Sequence, residues 1–177
     1  MRVALVPLAL IMGCAQAFTI HFANNCPFTV WAAVGAAPNG QPNPSIAFGS
    51  RLDRGNSANY AKSQGVRAWG RTGCDANGAN CQTGNCNGGL VCNDGGITAG
   101  VILSEFGNGF NGQRTAWDLS HVDASINIDT RLASSDGQSV TCTQASCPPD
   151  QAYNTPTDYQ ADRNSPLGAT YTHTFCP

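Results

Sequence analysis

The sequence predicts an all-β sandwich of many short strands, and three observations carry that reading. No stretch shows a sustained apolar repeat at i, i+3, i+4 and i+7, so long amphipathic helices are not expected. Apolar residues instead alternate over short runs: Phe18, Ile20 and Phe22; Phe28 and Val30; Val66 and Ala68; Trp117 and Leu119; Ile126 and Ile128. Between them, 20 glycines, 10 prolines and many asparagines punctuate the chain, with turn signals at "LDRGN" (52–56), "NDGG" (93–96) and "SSDG" (134–137). Short strands joined by frequent turns bury alternate residues between two sheets.

The remaining segments fit the same scheme. "APNGQPNPS" (37–45) reads as a surface loop, the stretch 147–166 as irregular and loop-rich, and "ATYTHTF" (169–175) as the final strand. No internal repeat or interdomain linker is evident. The chain opens with Arg2, the apolar run "VALVPLALIMGC" and "AQA" at 15–17, the pattern of a secretory signal peptide cleaved after Ala17. Removing 17 of the 177 residues leaves 160, residues 18–177, the size of a single domain. The leader is shorter than the roughly 18 apolar residues that a membrane span needs, and no later run exceeds it.

Charged residues make up 11% of the chain and the net charge is −2, with eight arginines and one lysine scattered along it. Nucleic-acid binding by phosphate neutralisation is therefore not expected. Nine cysteines become eight once Cys14 leaves with the leader, and an even count in an exported chain reads as disulfides. Cys74, Cys81, Cys86 and Cys92 are crowded together, but their spacing lacks the C-x-x-C knuckle of a zinc site. No metal or cofactor is expected. Eight cysteines allow 105 pairings, so connectivity stays open at this level. Cys26 with Cys176 would tie the first strand to the last, a closure contributing roughly 4 to 5 kcal/mol in the chain-entropy model.

Glu105, in "VILSEFGNG" (101–109), is the only glutamate in the chain. Strand alternation puts Val101 and Leu103 on its face, so an apolar surrounding that raises its pKa and suits it to donate a proton is expected. Arg67, Trp69 and Arg71 share one face of their strand, and Arg67 is expected to lower the pKa of neighbouring Asp side chains. Two carboxyls with pKa values split in this way can serve as general acid and as nucleophile or base at a glycosidic bond. Phe106 and Phe110, close in sequence to Glu105, read as core residues rather than sugar-stacking rings. His21, His121 and His173 have no ligand spacing and are given no role.

Several ordered segments together resemble the thaumatin-like proteins, the family that includes plant pathogenesis-related group 5 proteins and fungal homologues. They are "FTIHFANNCPFTVWAA" (18–33), "RLDRG" (51–55), "RAWGRTGC" (67–74), "CQTGNC" (81–86), "SEF" (104–106), "AWDLSHVD" (116–123), "CPPDQAYNTPTDY" (147–159) and "FCP" (175–177). The resemblance implies a disulfide-stapled thaumatin-like β-sandwich of the small type. That type lacks the large disulfide-rich second subdomain and so has a shallow cleft. It implies pairs Cys26–Cys176, Cys74–Cys81 and Cys86–Cys92, leaving Cys142 with Cys147. It also implies an acidic cleft of Arg67, Glu105, Asp118, Asp123 and Asp158. In that cleft Glu105 is the proton donor and Asp118 or Asp123 the nucleophile or base.

The function implied is that of a secreted, monomeric protein binding β-1,3-glucan or another polysaccharide of fungal cell walls. The implied role is defence or wall remodelling, and the family admits weak endo-β-1,3-glucanase activity. The alternative is a non-catalytic interaction protein, either an inhibitor of foreign hydrolases or a membrane-perturbing defence protein, in which the acidic cluster is a docking patch.

Overall fold

A computed structural model of the chain describes residues 18–36, 43–62, 65–93 and 100–177. The expected leader, most of the 37–45 loop and the "NDGG" turn after Asn93 lie outside the described residues. Eleven strands are formed: β1 (Phe18–Asn24), β2 (Val30–Ala36), β3 (Phe48–Leu52), β4 (Ser57–Lys62), β5 (Val66–Arg71), β6 (Leu103–Gly109), β7 (Arg114–Ser120), β8 (Thr130–Ser134), β9 (Ser139–Cys142), β10 (Arg163–Pro166) and β11 (Thr170–Phe175). They make a five-stranded sheet, β4-β1-β11-β8-β9, and a six-stranded sheet, β10-β7-β6-β5-β2-β3. All pairs are antiparallel except β1 with β11. No helix among the described residues is long and apolar enough to cross a membrane.

The alternation read from the sequence places the core between the sheets. Phe18, Ile20, Phe22, Tyr171 and Phe175 face Val34, Val66, Ala68, Phe106, Trp117 and Leu119. Phe18 and Phe106 meet across the layer at 5.0 Å between ring centres, as do Phe106 and Tyr171. The same core holds His173, fully buried, with its Nδ1 2.9 Å from Ser104 Oγ. Burial pushes its pKa down to about 3, so the ring is neutral.

One reading is corrected here and one made more detailed. Ile126 and Ile128 are not in a strand: the segment is irregular, Ile128 is buried, and Asn127 between them is tied to Gly70 O and Thr83 Oγ1. The stretch 147–166 is loop-rich as expected, and its last four residues form β10, which adds to the sheet edge beside β7 and ends at Pro166, an edge being where a proline costs no ladder bond.

The outer face of the six-stranded sheet is only partly covered. Ala33, Trp69, Val101 and Leu103 form a small second cluster under the cysteine-rich loop, with Cys86 and Cys92. Arg71 holds that loop down. It is fully buried and donates to Gly78 O (2.9 Å), Gly89 O (2.8 Å) and Leu90 O (2.6 Å). Trp69 Nε1 donates to Gly84 O in the same way. Gly78, Gly84 and Gly89 all have positive φ, the conformation that turns their carbonyls inward. At Gly49 of β3 a Cβ would lie 1.6 Å from Leu90 O, so only glycine admits the carbonyl that Arg71 grips. The cysteines pair as Cys26–Cys176, Cys74–Cys81, Cys86–Cys92 and Cys142–Cys147.

Arg71→Leu strips three loop carbonyls of their shared donor. We expect a loss of about 3 to 5 kcal/mol in denaturant unfolding and faster proteolysis within residues 74–92. An unchanged midpoint would remove Arg71 as the loop's anchor.

Candidate functional site

Beyond the edge of that loop the outer face carries a row of ionisable side chains running across the strands. Pairing puts Arg67 of β5 opposite Glu105 of β6, and Glu105 opposite Asp118 of β7. Arg163 of β10 lies opposite Trp117, so Asp162, one step before β10, stands beside Asp118. Directly opposite residues have Cβ atoms about 4.5 to 5.5 Å apart, so the row is continuous from cation to third carboxylate. Gly35 of β2, opposite Arg67, leaves the other end of the row without a side chain.

Arg67 Nε lies 2.5 Å from Glu105 Oε1, with both side chains mostly covered at 19% and 26% exposure. The N–H does not point along that contact, since Nε makes no aligned hydrogen bond. The two are a close charge pair rather than a bidentate clasp. Asp118 has no such partner, and its Oδ1 is buried without a hydrogen-bond donor. Burial, then the charge of Glu105, then that of Asp162 hold its carboxyl well above the usual carboxylate range, with Arg67 offsetting in part. Tyr153 Oη donates to Asp162 Oδ1 at 2.7 Å, and burial followed by that bond pushes the phenol pKa up.

The sequence expectation put the raised carboxyl at Glu105, whereas Asp118 is the one held up. Arg67 sits against Glu105, and Asp118 is the acid whose pKa burial, then like charges, raise. A carboxyl of raised pKa beside a second carboxyl is an arrangement that general acid catalysis and hydroxyl binding both use.

Alongside the row lies a shallow depression of about 260 Å³, lined by Arg67, Glu105, Asp118, Gly107 and Ala116. It exists because the adjacent register pair, Gly107 with Ala116, carries almost no side chain. A Cβ at Gly107 would meet nothing within 4 Å.

The other expected site residues lie elsewhere. Asp123, exposed at φ 51° in the turn after β7, lines a neighbouring depression of about 380 Å³ that touches the row only through Arg67. Asp158 lines neither depression. Its Oδ2 accepts from the backbone N–H of Thr155 and Asn154, both at 2.9 Å, and those bonds hold its pKa below the usual range. It shapes a turn, and Asp162, which the sequence reading did not name, stands beside Asp118. Phe106 is core, as expected, but Phe110 is 65% exposed, at a positive φ in the β6–β7 turn. His121, Cys142 and Cys147 lie close enough to suggest a metal site, but the two cysteines are bonded to each other.

A two-sheet sandwich with four disulfides and a cross-strand Arg-Glu-Asp row on its open face defines a class, and the chain belongs to the thaumatin family, whose model matches residues 24–177. It is 35% identical over 175 residues to the thaumatin-like protein PWIR2 of Triticum aestivum, covering 96% of this chain and 94% of that protein. Thaumatin-like pathogenesis-related protein 4 of Avena sativa is 36% identical over the same length and coverage. Among solved structures, the thaumatin-like xylanase inhibitor TLXI superposes with a TM-score of 0.61 at 26% identity, covering 89% of this chain and 99% of that one. The protein elicitor MoHrip2 from Magnaporthe oryzae shares the fold, with a TM-score of 0.51 at 14% identity and coverage of 91% and 100%.

Because the folded-state pKa of Asp118 is raised, its contribution to stability is intact below the unfolded value of about 3.9 and is lost as pH rises through the folded value. We expect Asp118→Asn to match the wild type near pH 3 and to become the more stable protein as pH rises, by about 1 to 3 kcal/mol. Parallel denaturant titrations across pH read the difference. A variant that loses ground to the wild type as pH rises would contradict the assignment.

Proposed function

We propose that the protein is an exported, monomeric thaumatin-like protein that binds β-1,3-glucan of fungal cell walls along the depression beside the acidic row. The carrying observation is the strip over Gly107 and Ala116, open to solvent and flanked by Glu105 and Asp118. Such a strip suits a neutral polyhydroxyl chain, whose hydroxyls donate to carboxylates, while an acidic polymer would be repelled by Glu105 and Asp162. The choice of β-1,3-glucan among neutral polymers, and a role in defence or wall remodelling, rest on the family resemblance. Export rests on the leader pattern and the four disulfides.

Glu105 and Asp118 are neighbours on one sheet surface, whereas a glycosidase needs its carboxyls to flank the scissile bond. If weak endo-glucanase activity is present, Asp118 is the proton donor and Glu105 the nucleophile or base. The likeness to a xylanase inhibitor favours a second reading, in which the same acidic row docks onto a foreign hydrolase.

A Cβ at Gly107 meets nothing within 4 Å, so Gly107→Leu is expected to grow into the depression and, in a strand interior, to hold or raise stability. Glucan binding predicts retention of the wild type on insoluble β-1,3-glucan at moderate salt and at least tenfold weaker retention of Gly107→Leu. No retention of the wild type, or equal retention of both, would sink the proposal. If the wild type releases reducing sugar from soluble β-1,3-glucan, Glu105→Gln is expected to stop release while leaving binding in place, since the amide can neither attack nor take up a proton. Equal rates would remove Glu105 from any mechanism.

A further inference from the structure

We propose that the opposite end of the same sheet carries a second ligand site, one that accepts a ring of a neutral saccharide. Trp31 lies opposite Arg71, four residues along β2 from the Gly35–Arg67 pair, which sets this end about 13 Å from the acidic row. Here a cavity of about 400 Å³ opens between the start of β2 and the cysteine-rich loop. That volume falls in the range of small-ligand pockets, about 300 to 1,000 Å³, whereas the depression beside the acidic row falls short of it.

Its walls are aromatic, amide and hydroxyl, with no carboxylate among them: Phe28, Trp31, Thr72, Gln82 and Asn127 face it. Phe28 is 45% exposed, an uncovered ring beside Trp31. Charges nearby are spoken for. Arg51 lies over the Trp31 ring at 5.8 Å and pairs with Asp53 at 3.1 Å, and Asp53 also accepts from Thr29 Oγ1 at 2.8 Å. A flat ring with planar amides and no net charge matches a pyranose, whose C–H face packs on aromatics and whose hydroxyls both donate and accept.

The polar groups are set in place. Asn127 Nδ2 donates to Gly70 O at 3.0 Å and Thr83 Oγ1 at 2.8 Å, which fixes the amide orientation and leaves Oδ1 buried with no donor. Thr72 Oγ1 and Thr83 Oγ1 hydrogen-bond each other at 2.7 Å. Gln82 is exposed and lies over Gly73, where φ is 62° and a Cβ would come within 2.5 Å of Gln82 Cδ. Its carboxamide makes no hydrogen bond of its own among the described residues, so it is the part that can give way. A ligand hydroxyl that moves Gln82 aside would supply the donor that Asn127 Oδ1 lacks.

The test is amide-resolved NMR of the full protein titrated with millimolar β-1,3-linked glucotriose and, separately, β-1,4-linked xylotriose. Either sugar should shift the backbone of Gly73 and the side-chain amides of Gln82 and Asn127, with the shifts persisting in Gly107→Leu. Phe28→Ala and Gln82→Ala, both at exposed positions, should each weaken that response at least fivefold without changing the thermal midpoint. No shift at these residues with either sugar, or a response unaltered in both variants, would overturn the site. Because Gly107→Leu blocks only the acidic depression, failure here and failure of the glucan-binding reading are separate results.

Discussion

The register of β5, β6 and β7 is the constraint on which both the core and the site depend. It pairs Arg67 with Glu105 and Glu105 with Asp118, and in the next position pairs Val66 with Phe106 and Phe106 with Trp117. The first set points outward and the second into the aromatic core. A slip of one residue would turn a cation and two carboxyls inward and Phe106 and Trp117 to solvent. Burial of those rings, about 1.5 to 3 kcal/mol for each large apolar side chain, thereby also holds the ionisable row in line.

Arg67 and Arg71 show how one sheet face serves two ends. Both project outward from β5, and they differ in what lies above them. Arg71 lies under the cysteine-rich loop and donates to carbonyls turned inward at glycines, which ties the loop to the sheet. Arg67 lies beyond the loop and meets Glu105 instead. Asp118 is left buried with an unpartnered oxygen, and that burial, then the charges of Glu105 and Asp162 on either side, raises its pKa.

Much of this was legible in the residues, and the failures have physical causes. The alternation at Phe18, Ile20 and Phe22 marked an inward face, and the Arg67-Trp69-Arg71 alternation marked an outward one. Arg67, Glu105 and Asp118 come together because each stands in a strand. Asp162 was missed because it is recruited by an edge strand that ends in proline, and cross-strand register is invisible in one-dimensional spacing. Asp158 satisfies backbone N–H groups of its own turn, a local bond that competes with any role in the row. Ile126 and Ile128 alternate like a strand, yet Asn127 between them spends its amide on Gly70 and Thr83, tying the segment down without a ladder. The raised pKa of Asp118 comes first from its burial and then from the charges beside it, facts of geometry rather than composition.

The most direct test of this account is a carbon-13 NMR titration of the side-chain carboxyl of Asp118. The row as described predicts a midpoint well above the ordinary aspartate value of about 3.9. It also predicts a further upward move in Arg67→Met, since the cation that offsets burial and the neighbouring charges is gone. A midpoint at or below the ordinary value, or one that falls when Arg67 is removed, would contradict it.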